Sequence, residues 1–279
     1  MDRRTPAASL GTAICAVLAL CLSALLAGCA NEQGAPLPPQ APQAKQAPTG
    51  QFTWQLAIGE LDIGQPGFHC SAVLVARNLI ATASHCLTVA AQNARPVIFS
   101  PGYGARSLPT AEAIALKLGG RVNSGAIRSE DVPVDWALLQ ISPPITGIQP
   151  LPVAALSLSD MLARAAAGGQ VIAAGYGDSD TLRTRAPCPL LSQQALGLYP
   201  DDSWLQLDCA IEHGDSGGAI VLVDGGRPWL IGIIAGSGKN PKAPGKTMAL
   251  AANARNFAPY VVPVALAAPA ASSTVADAR

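Results

Sequence analysis

The hexapeptide HGDSGG, His213–Gly218, places one hydroxyl among three glycines. Glycines let another molecule approach the backbone closely, and Ser216 offers a nucleophile beside that approach. A serine hydroxyl is nearly inert at neutral pH, so this chemistry needs a base within hydrogen-bond reach and a third group that orients the base. Taken alone, the stretch is also compatible with an ordinary turn, because Gly-Asp and Gly-Gly pairs mark turns. Residues elsewhere in the chain must therefore distinguish a catalytic serine from an ordinary turn.

Three histidines are available as the base, and His85 is the best placed of them. It follows the apolar run Leu79–Ser84 and precedes Cys86, so we expect its backbone at the rigid end of a strand, as a catalytic group requires. His213 is too near Ser216 along a turn to act as its base. We expect His213 and His69 in solvated surface positions.

The orienting carboxylate should be partly buried, because a desolvated acid stabilises the imidazolium that forms when the base takes a proton. Asp135 fits this requirement, since it opens the apolar run DWALLQI. An isolated aspartate before a strand is more often a cap or turn residue. The assignment of Asp135 therefore depends on its occurring together with His85 and Ser216.

Three motifs occur in the order His, Asp, Ser: TASHC (Thr82–Cys86), DWALL (Asp135–Leu139) and GDSGG (Gly214–Gly218). Together they resemble the chymotrypsin/trypsin-like serine protease family, and weaker similarities extend from about Phe52 to Tyr260. The resemblance implies an all-β fold of two six-stranded antiparallel barrels with a short C-terminal helix. It places the active site in the cleft between the barrels.

The same resemblance implies a serine endopeptidase. Ser216 would attack a peptide carbonyl, His85 would take the proton and Asp135 would fix the imidazole tautomer. The backbone N–H groups of Gly214 and Ser216 would donate to the oxyanion. Protein or peptide substrates are implied, with no cofactor and no metal. Two alternatives stay open, a catalytically silent protease-like binding module and an esterase that uses the same triad.

Several positions depart from the family pattern. Ser84 stands where alanine is usual, a change that we expect to be tolerated. Ala235 stands where family members commonly have a serine that hydrogen-bonds the buried aspartate, so we expect the support for Asp135 either to be weaker or to come from elsewhere. The domain also lacks the Ile/Val-Val/Ile-Gly-Gly start that zymogen activation releases. Asp215 must then find another donor, for which Arg183 and Arg185 are the candidates.

The substrate pocket is expected to prefer small or medium uncharged side chains. The position six residues before the nucleophile, where trypsin-like relatives have an aspartate, is Ala210. The opposite wall is also uncharged and comprises Ile234, Ala235 and Gly236. Glu212 and His213 are the exception, because either could admit a charge if the loop turned it inward.

The N-terminus reads as an export signal rather than as part of the fold. A basic start at Arg3 and Arg4 precedes the apolar run Leu10–Ala27, and Leu26-Ala27-Gly28-Cys29 resembles the bacterial lipobox. We therefore expect a lipoprotein signal peptide over 1–28, with Cys29 lipidated and anchored in the bacterial cell envelope. An uncleaved membrane helix and a soluble secreted product are the alternatives. Residues 29–50 would form a disordered Pro/Gln/Ala linker, 51–262 the protease domain and 263–279 a flexible tail.

Four further cysteines follow the signal: Cys70, Cys86, Cys188 and Cys209. Export to an oxidising compartment favours disulfides, and of the three possible connectivities we expect the one that joins neighbours in sequence, Cys70 with Cys86 and Cys188 with Cys209. A metal site is the alternative, although no CxxC or paired histidine spacing accompanies these cysteines.

Composition and pattern agree with an all-β enzyme. Lysine plus arginine and aspartate plus glutamate are 18 each, so the chain has no electrostatic footprint for nucleic acid. No oligomeric contact is indicated, and we expect a monomer. A short helix is expected over Asp160–Ala167. The predicted strands are FTWQLAI (52–58), CSAVLVA (70–76), LIATAS (79–84), PVIFS (96–100), WALLQI (136–141), QVIAAGY (170–176), AIVLV (219–223) and WLIGIIA (229–235).

Overall fold

A computed structural model describes residues 53–91, 95–102, 108–123, 127–177, 181–192, 202–241 and 243–261. These residues lie within the unit Gly50–Arg279. The predicted signal peptide, Cys29, the linker over 29–50 and the tail over 263–279 lie outside the described residues. Within the described ranges, no helix is long and apolar enough to cross a membrane.

The first half of the domain is a closed antiparallel barrel with the strand order β1-β2-β3-β6-β5-β4. All four residues of β3 are buried, so this strand lies in the barrel core and leads directly into a seven-residue helix, α1 (Ser84–Ala90). The strands are β1 (Ile58–Gln65), β2 (Phe68–Ala76), β3 (Leu79–Thr82), β4 (Val97–Pro101), β5 (Ala111–Leu118) and β6 (Ala137–Ser142).

The second half is a six-stranded antiparallel sheet with the order β8-β7-β10-β11-β12-β9. An isolated bridge between Leu190 and Leu207 brings the chain beyond β8 back to β9, at the other edge of the sheet. Helix α2 (Leu158–Ala166) precedes these strands, with Ser157 as its N-cap. The strands are β7 (Gln170–Gly175), β8 (Arg183–Arg185), β9 (Trp204–Leu207), β10 (Ala219–Asp224), β11 (Arg227–Lys239) and β12 (Thr247–Asn253).

A 3₁₀ turn, Ala254–Asn256, follows β12 and leads into a short helix over residues 258–261. Phe257 is fully buried and Trp136 stacks on Tyr260 with ring centroids 5.9 Å apart, which holds this segment against the first barrel. The predicted architecture of two β-barrels with a short C-terminal helix is confirmed.

One predicted strand is wrong. Phe52–Ile58 does not begin the sheet, because Thr53–Ala57 form a 3₁₀ turn and β1 starts at Ile58. Trp54, Ala57 and Ile58 are buried whereas Leu56 is exposed, and burial at spacings of three and four residues suits a helical turn rather than a strand. The aromatic and aliphatic content of the segment reflects this burial.

Candidate active site

Strand pairing brings the predicted base and acid together. β3 pairs with β6, with Thr82 opposite Ala137. His85 follows β3 in the first turn of α1, and Asp135 ends a 3₁₀ turn just before β6. His85 Nδ1 lies 2.7 Å from Asp135 Oδ2. His85 is 7% exposed and Asp135 is 0% exposed, so water is largely excluded from the pair.

The carboxylate of Asp135 has two further hydrogen bonds, both on Oδ1. The backbone N–H of His85 donates at 2.9 Å and Ser84 Oγ donates at 2.9 Å. With its Nδ1–H donated to Oδ2, the neutral imidazole leaves Nε2 as the atom that can accept a proton. The pair therefore has the geometry of a general base held by a buried acid.

Ser216 sits on a tight loop between β9 and β10 that hydrogen bonds tie to β11. Gly217 N–H donates to the Ile234 carbonyl at 2.8 Å, and Ile234 N–H donates to the Gly218 carbonyl at 2.9 Å. Gly217 has φ +81°, and a Cβ there would overlap the carbonyl of Ser71. Only glycine fits this position, which explains its place directly after the nucleophile.

Ser71 on β2 joins the first barrel to the Ser216 loop, a role that sequence analysis missed. Its N–H donates to the Ser216 carbonyl at 2.7 Å, and its hydroxyl donates to the Gly214 carbonyl at 2.9 Å. The same hydroxyl accepts from Tyr176 N–H at 2.9 Å. The one available signal is a polar residue in the apolar run CSAVLVA, and its side chain proves to be buried.

The predicted oxyanion donors are left free by this loop. In the described part of the chain, no group accepts a hydrogen bond from the backbone N–H of Gly214 or of Ser216. Both residues are partly exposed and line one cavity. Gly214 has φ +84°, a conformation that L side chains rarely adopt, so glycine is required there as well. Two unpaired donors facing one cavity suit a developing negative oxygen.

A cleft of about 630 Å³ contains His85, Gly214 and Ser216. The side chains of His85 and Ser216 share this cleft, although the structure shows no hydrogen bond between the two. Catalytic hydrogen bonds often shorten only when substrate binds. His85 Nε2 lies 3.8 Å from Cys86 Sγ.

Two of the four expected pocket residues line the cleft, namely Ala235 and Gly236. Ile234 is fully buried in the hydrophobic core of the second half of the domain. Ala210 is exposed and does not line the cleft, whereas the next residue, Ile211, does. Ala210 and Ile234 are therefore not among the residues that line this cleft, and their role in specificity stays a prediction.

Asp215 is fully buried between the two oxyanion residues, and its partner is Arg185, one of the two expected donors. Asp215 Oδ2 lies 2.8 Å from Arg185 Nη2 and accepts from Glu212 N–H at 2.8 Å. Burial raises the pKa of Asp215, and the Glu212 N–H and the Arg185 charge oppose that rise. Arg183, the other candidate, pairs instead with the carboxylate of Glu212.

Both expected disulfides are present, Cys70–Cys86 and Cys188–Cys209. The first joins β2 to α1 beside His85 and so fixes the helix that carries the base. Cys70, His85 and Cys86 have possible metal-ligand atoms within 4.8 Å of one another. The two sulfurs are bonded to each other, however, so neither is the thiolate that a metal would bind.

The fold and this site define a class of proteins, the chymotrypsin-like serine proteases with two β-barrels. The family model described as Trypsin matches residues 42–261, and the chain belongs to this family. No curated protein matches the chain. The family and the buried His85–Asp135 pair support serine protease activity.

Proposed function

We propose that this protein is a serine endopeptidase held in the bacterial cell envelope by a lipid on Cys29. The observation that carries the catalytic part is the buried Asp135–His85 pair, which shares one cleft with Ser216 and two unpaired backbone N–H groups. These are the groups that acyl transfer to a hydroxyl requires.

The mechanism follows from the positions of these atoms. Ser216 Oγ attacks the peptide carbonyl while His85 Nε2 accepts the hydroxyl proton, and Asp135 stabilises the imidazolium. The N–H groups of Gly214 and Ser216 donate to the oxyanion, each contributing on the order of 10²–10³ in rate. His85 then protonates the departing amine, which leaves an acyl-enzyme on Ser216. Water attacks this ester by the same steps in reverse and releases the acid.

Labelling with a fluorophosphonate tests the catalytic proposal, because this probe reacts only with an activated serine. We expect one label per chain at Ser216 and none in Ser216→Ala. An unlabelled wild-type protein that still binds peptides would identify a silent binding module. Hydrolysis of esters without hydrolysis of matched peptides would identify an esterase.

The anchoring proposal is supported by the basic start, the apolar run Leu10–Ala27 and the lipobox-like Leu26–Cys29. Expression in a bacterium with labelled palmitate should give a labelled protein in the membrane fraction. Cys29→Ala should lose both the label and the membrane association. Membrane association without label in the wild type would contradict lipidation and would favour an uncleaved helix.

We expect the pocket to favour small or medium uncharged side chains immediately before the cleaved bond. Ile211, Ala235 and Gly236 offer no charge, and Glu212 is paired with Arg183, so a substrate cation would lose its hydration without gaining a free carboxylate. Peptides with Arg or Lys at that position should be cleaved at least about 100-fold more slowly than the best uncharged ones.

A peptide-library profile measures this preference directly. Dominance of Arg, Lys or Glu before the cleaved bond would contradict it. Glu212→Gln serves as the control, since the ranking of side chains should stay unchanged in this variant whatever its overall rate. A loss of cleavage after Arg or Lys in the variant would instead identify Glu212 as a recognition group.

A further inference from the structure

The buried charge of Asp135 depends on three hydrogen bonds. Two come from His85, through Nδ1–H and the backbone N–H, and the third comes from the Ser84 hydroxyl. No lysine or arginine pairs with Asp135 in the part of the chain that is described. A buried carboxylate stays ionised only if such donors replace water. Each of the three donors therefore stabilises the ionised form of Asp135.

Two of the three donors belong to side chains: the imidazole of His85 and the hydroxyl of Ser84. Ser84 is 1% exposed, so its hydroxyl has no access to bulk water, and among the described residues its acceptor is Asp135 Oδ1. At Ala235, where the family resemblance places a hydroxyl that reaches the acid, the side chain is a buried methyl on β11. Support for the acid therefore comes from the helix that carries the base rather than from the substrate-binding strand.

We propose that Ser84 is a positioning residue for the Asp135–His85 pair and replaces the hydroxyl that position 235 lacks. The proposal rests on the endopeptidase function proposed above. Ser84 Oγ and His85 N–H both donate to Oδ1, and together they fix the plane of the carboxylate so that Oδ2 faces His85 Nδ1. Ser84 precedes His85 in α1, so the same turn of helix sets both the base and the orientation of its acid.

In Ser84→Ala, Oδ1 keeps only the backbone donor and the carboxylate can rotate. We expect kcat to fall about 10-fold with KM unchanged, because a hydrogen bond to a charged group is lost and no substrate contact changes. The Ser84→Ala/Ala235→Ser double variant should recover most of the lost kcat, since it supplies a hydroxyl from the other side. Thr88→Val, which removes a hydroxyl from the same helix that binds the Val122 carbonyl, should leave kcat unchanged.

Proton NMR gives a readout that does not require activity. The His85 Nδ1 proton, in a 2.7 Å hydrogen bond to a carboxylate, should resonate far downfield and be assignable because the chain has three histidines. In Ser216→Ala we expect this signal to be retained. It should be shifted and broadened when Ser84→Ala is added, and restored when Ala235→Ser is added as well.

Unchanged kcat and an unchanged downfield signal in Ser84→Ala would overturn the proposal, even if the protein became less stable. A Ser84→Ala/Ala235→Ser variant that stays as slow as Ser84→Ala would refute the proposal that a hydroxyl at position 84 replaces one at position 235. A wild-type protein that fluorophosphonate does not label refutes the endopeptidase function instead, and the NMR comparison then still decides the role of Ser84. If Ser84→Ala does not fold, Ser84→Cys, a weaker donor of similar size, should shift the His85 Nδ1 signal from its wild-type position, and an unshifted signal would overturn the proposal.

Discussion

Ser216→Ala and His85→Ala should each lower kcat on the order of 10⁶-fold, and the double variant should be hardly slower than either single one. The reason is that Ser216 cannot lose its proton without His85, so removal of either group removes the whole step. Asp135→Asn should cost about 10⁴-fold, because an amide at this position leaves His85 with the wrong tautomer. Steady-state kinetics on a peptide that the wild type cleaves gives kcat for all four variants.

Residual activity in these variants is itself informative. The unpaired N–H groups of Gly214 and Ser216 remain, so cleavage should stay above the uncatalysed rate by about 10³–10⁴-fold. Thermal unfolding of Ser216→Ala should match that of the wild type, since the hydroxyl faces the cleft. Wild-type rates in Ser216→Ala, or losses that multiply in the double variant, would contradict the assignment of the triad.

The three motifs could be found in the sequence because each is local. A histidine after a buried strand, an aspartate before one and a serine among glycines can be read from neighbouring residues alone, and the order of the motifs then suggests the fold. The contact between Ser84 and Asp135 could not be found this way, since it depends on β3 and β6 lying side by side. Ser84 and Ala235 appeared in the sequence only as two separate departures.

The parts of the fold that sequence analysis missed have physical causes. β5 reads AEAIALKL, and Ala, Glu, Leu and Lys favour helices, so the strand depends on pairing with β4 and β6 rather than on local preference. Ile234 does not line the cleft, and a register shift between Ile234 and Gly236 interrupts the regular alternation of side chains along β11 at this point. Gly236 is the available signal in the sequence, since a glycine within a strand often marks a bulge.

The ion pair between Arg185 and Asp215 leads to the second large expected effect. Asp215 lies between Gly214 and Ser216, the two predicted oxyanion donors, so we expect the position of its side chain to affect the direction of both N–H groups. In Arg185→Met we expect kcat/KM to fall about 10²–10³-fold, because a buried carboxylate that loses its cation costs about 3–5 kcal/mol. Arg183→Met is the matched control and should change kcat/KM less than about 5-fold, since its pair with Glu212 is solvent-exposed.

The same pair predicts that no activating cut is needed, because Arg185 already occupies the place that a released N-terminus would fill. Mass spectrometry of a fully active preparation should therefore find chains that still contain the segment before Gly50. A preparation that is active only when it begins uniformly near Gln51 would refute this role of Arg185. Arg185→Met/Asp215→Asn should be less impaired than Arg185→Met, because removing both charges leaves neither one buried without a partner.

The pH dependence of activity follows from the direction of the pKa shift. Burial raises the pKa of Asp215, so the folded protein binds this proton more readily than the unfolded chain. The stability cost of the ionised carboxylate is therefore present above the raised pKa and is lost as the pH falls through it. Acid that protonates Asp215 should uncouple it from Arg185 and lower activity without unfolding the protein, because protonation of this buried carboxyl removes a stability cost. In Arg185→Met the opposing cation is gone, so the pKa of Asp215 rises further and the acid limb of kcat/KM should move to higher pH. An acid limb at the same pH in Arg185→Met and the wild type would show that Asp215 does not set the acid limb of kcat/KM.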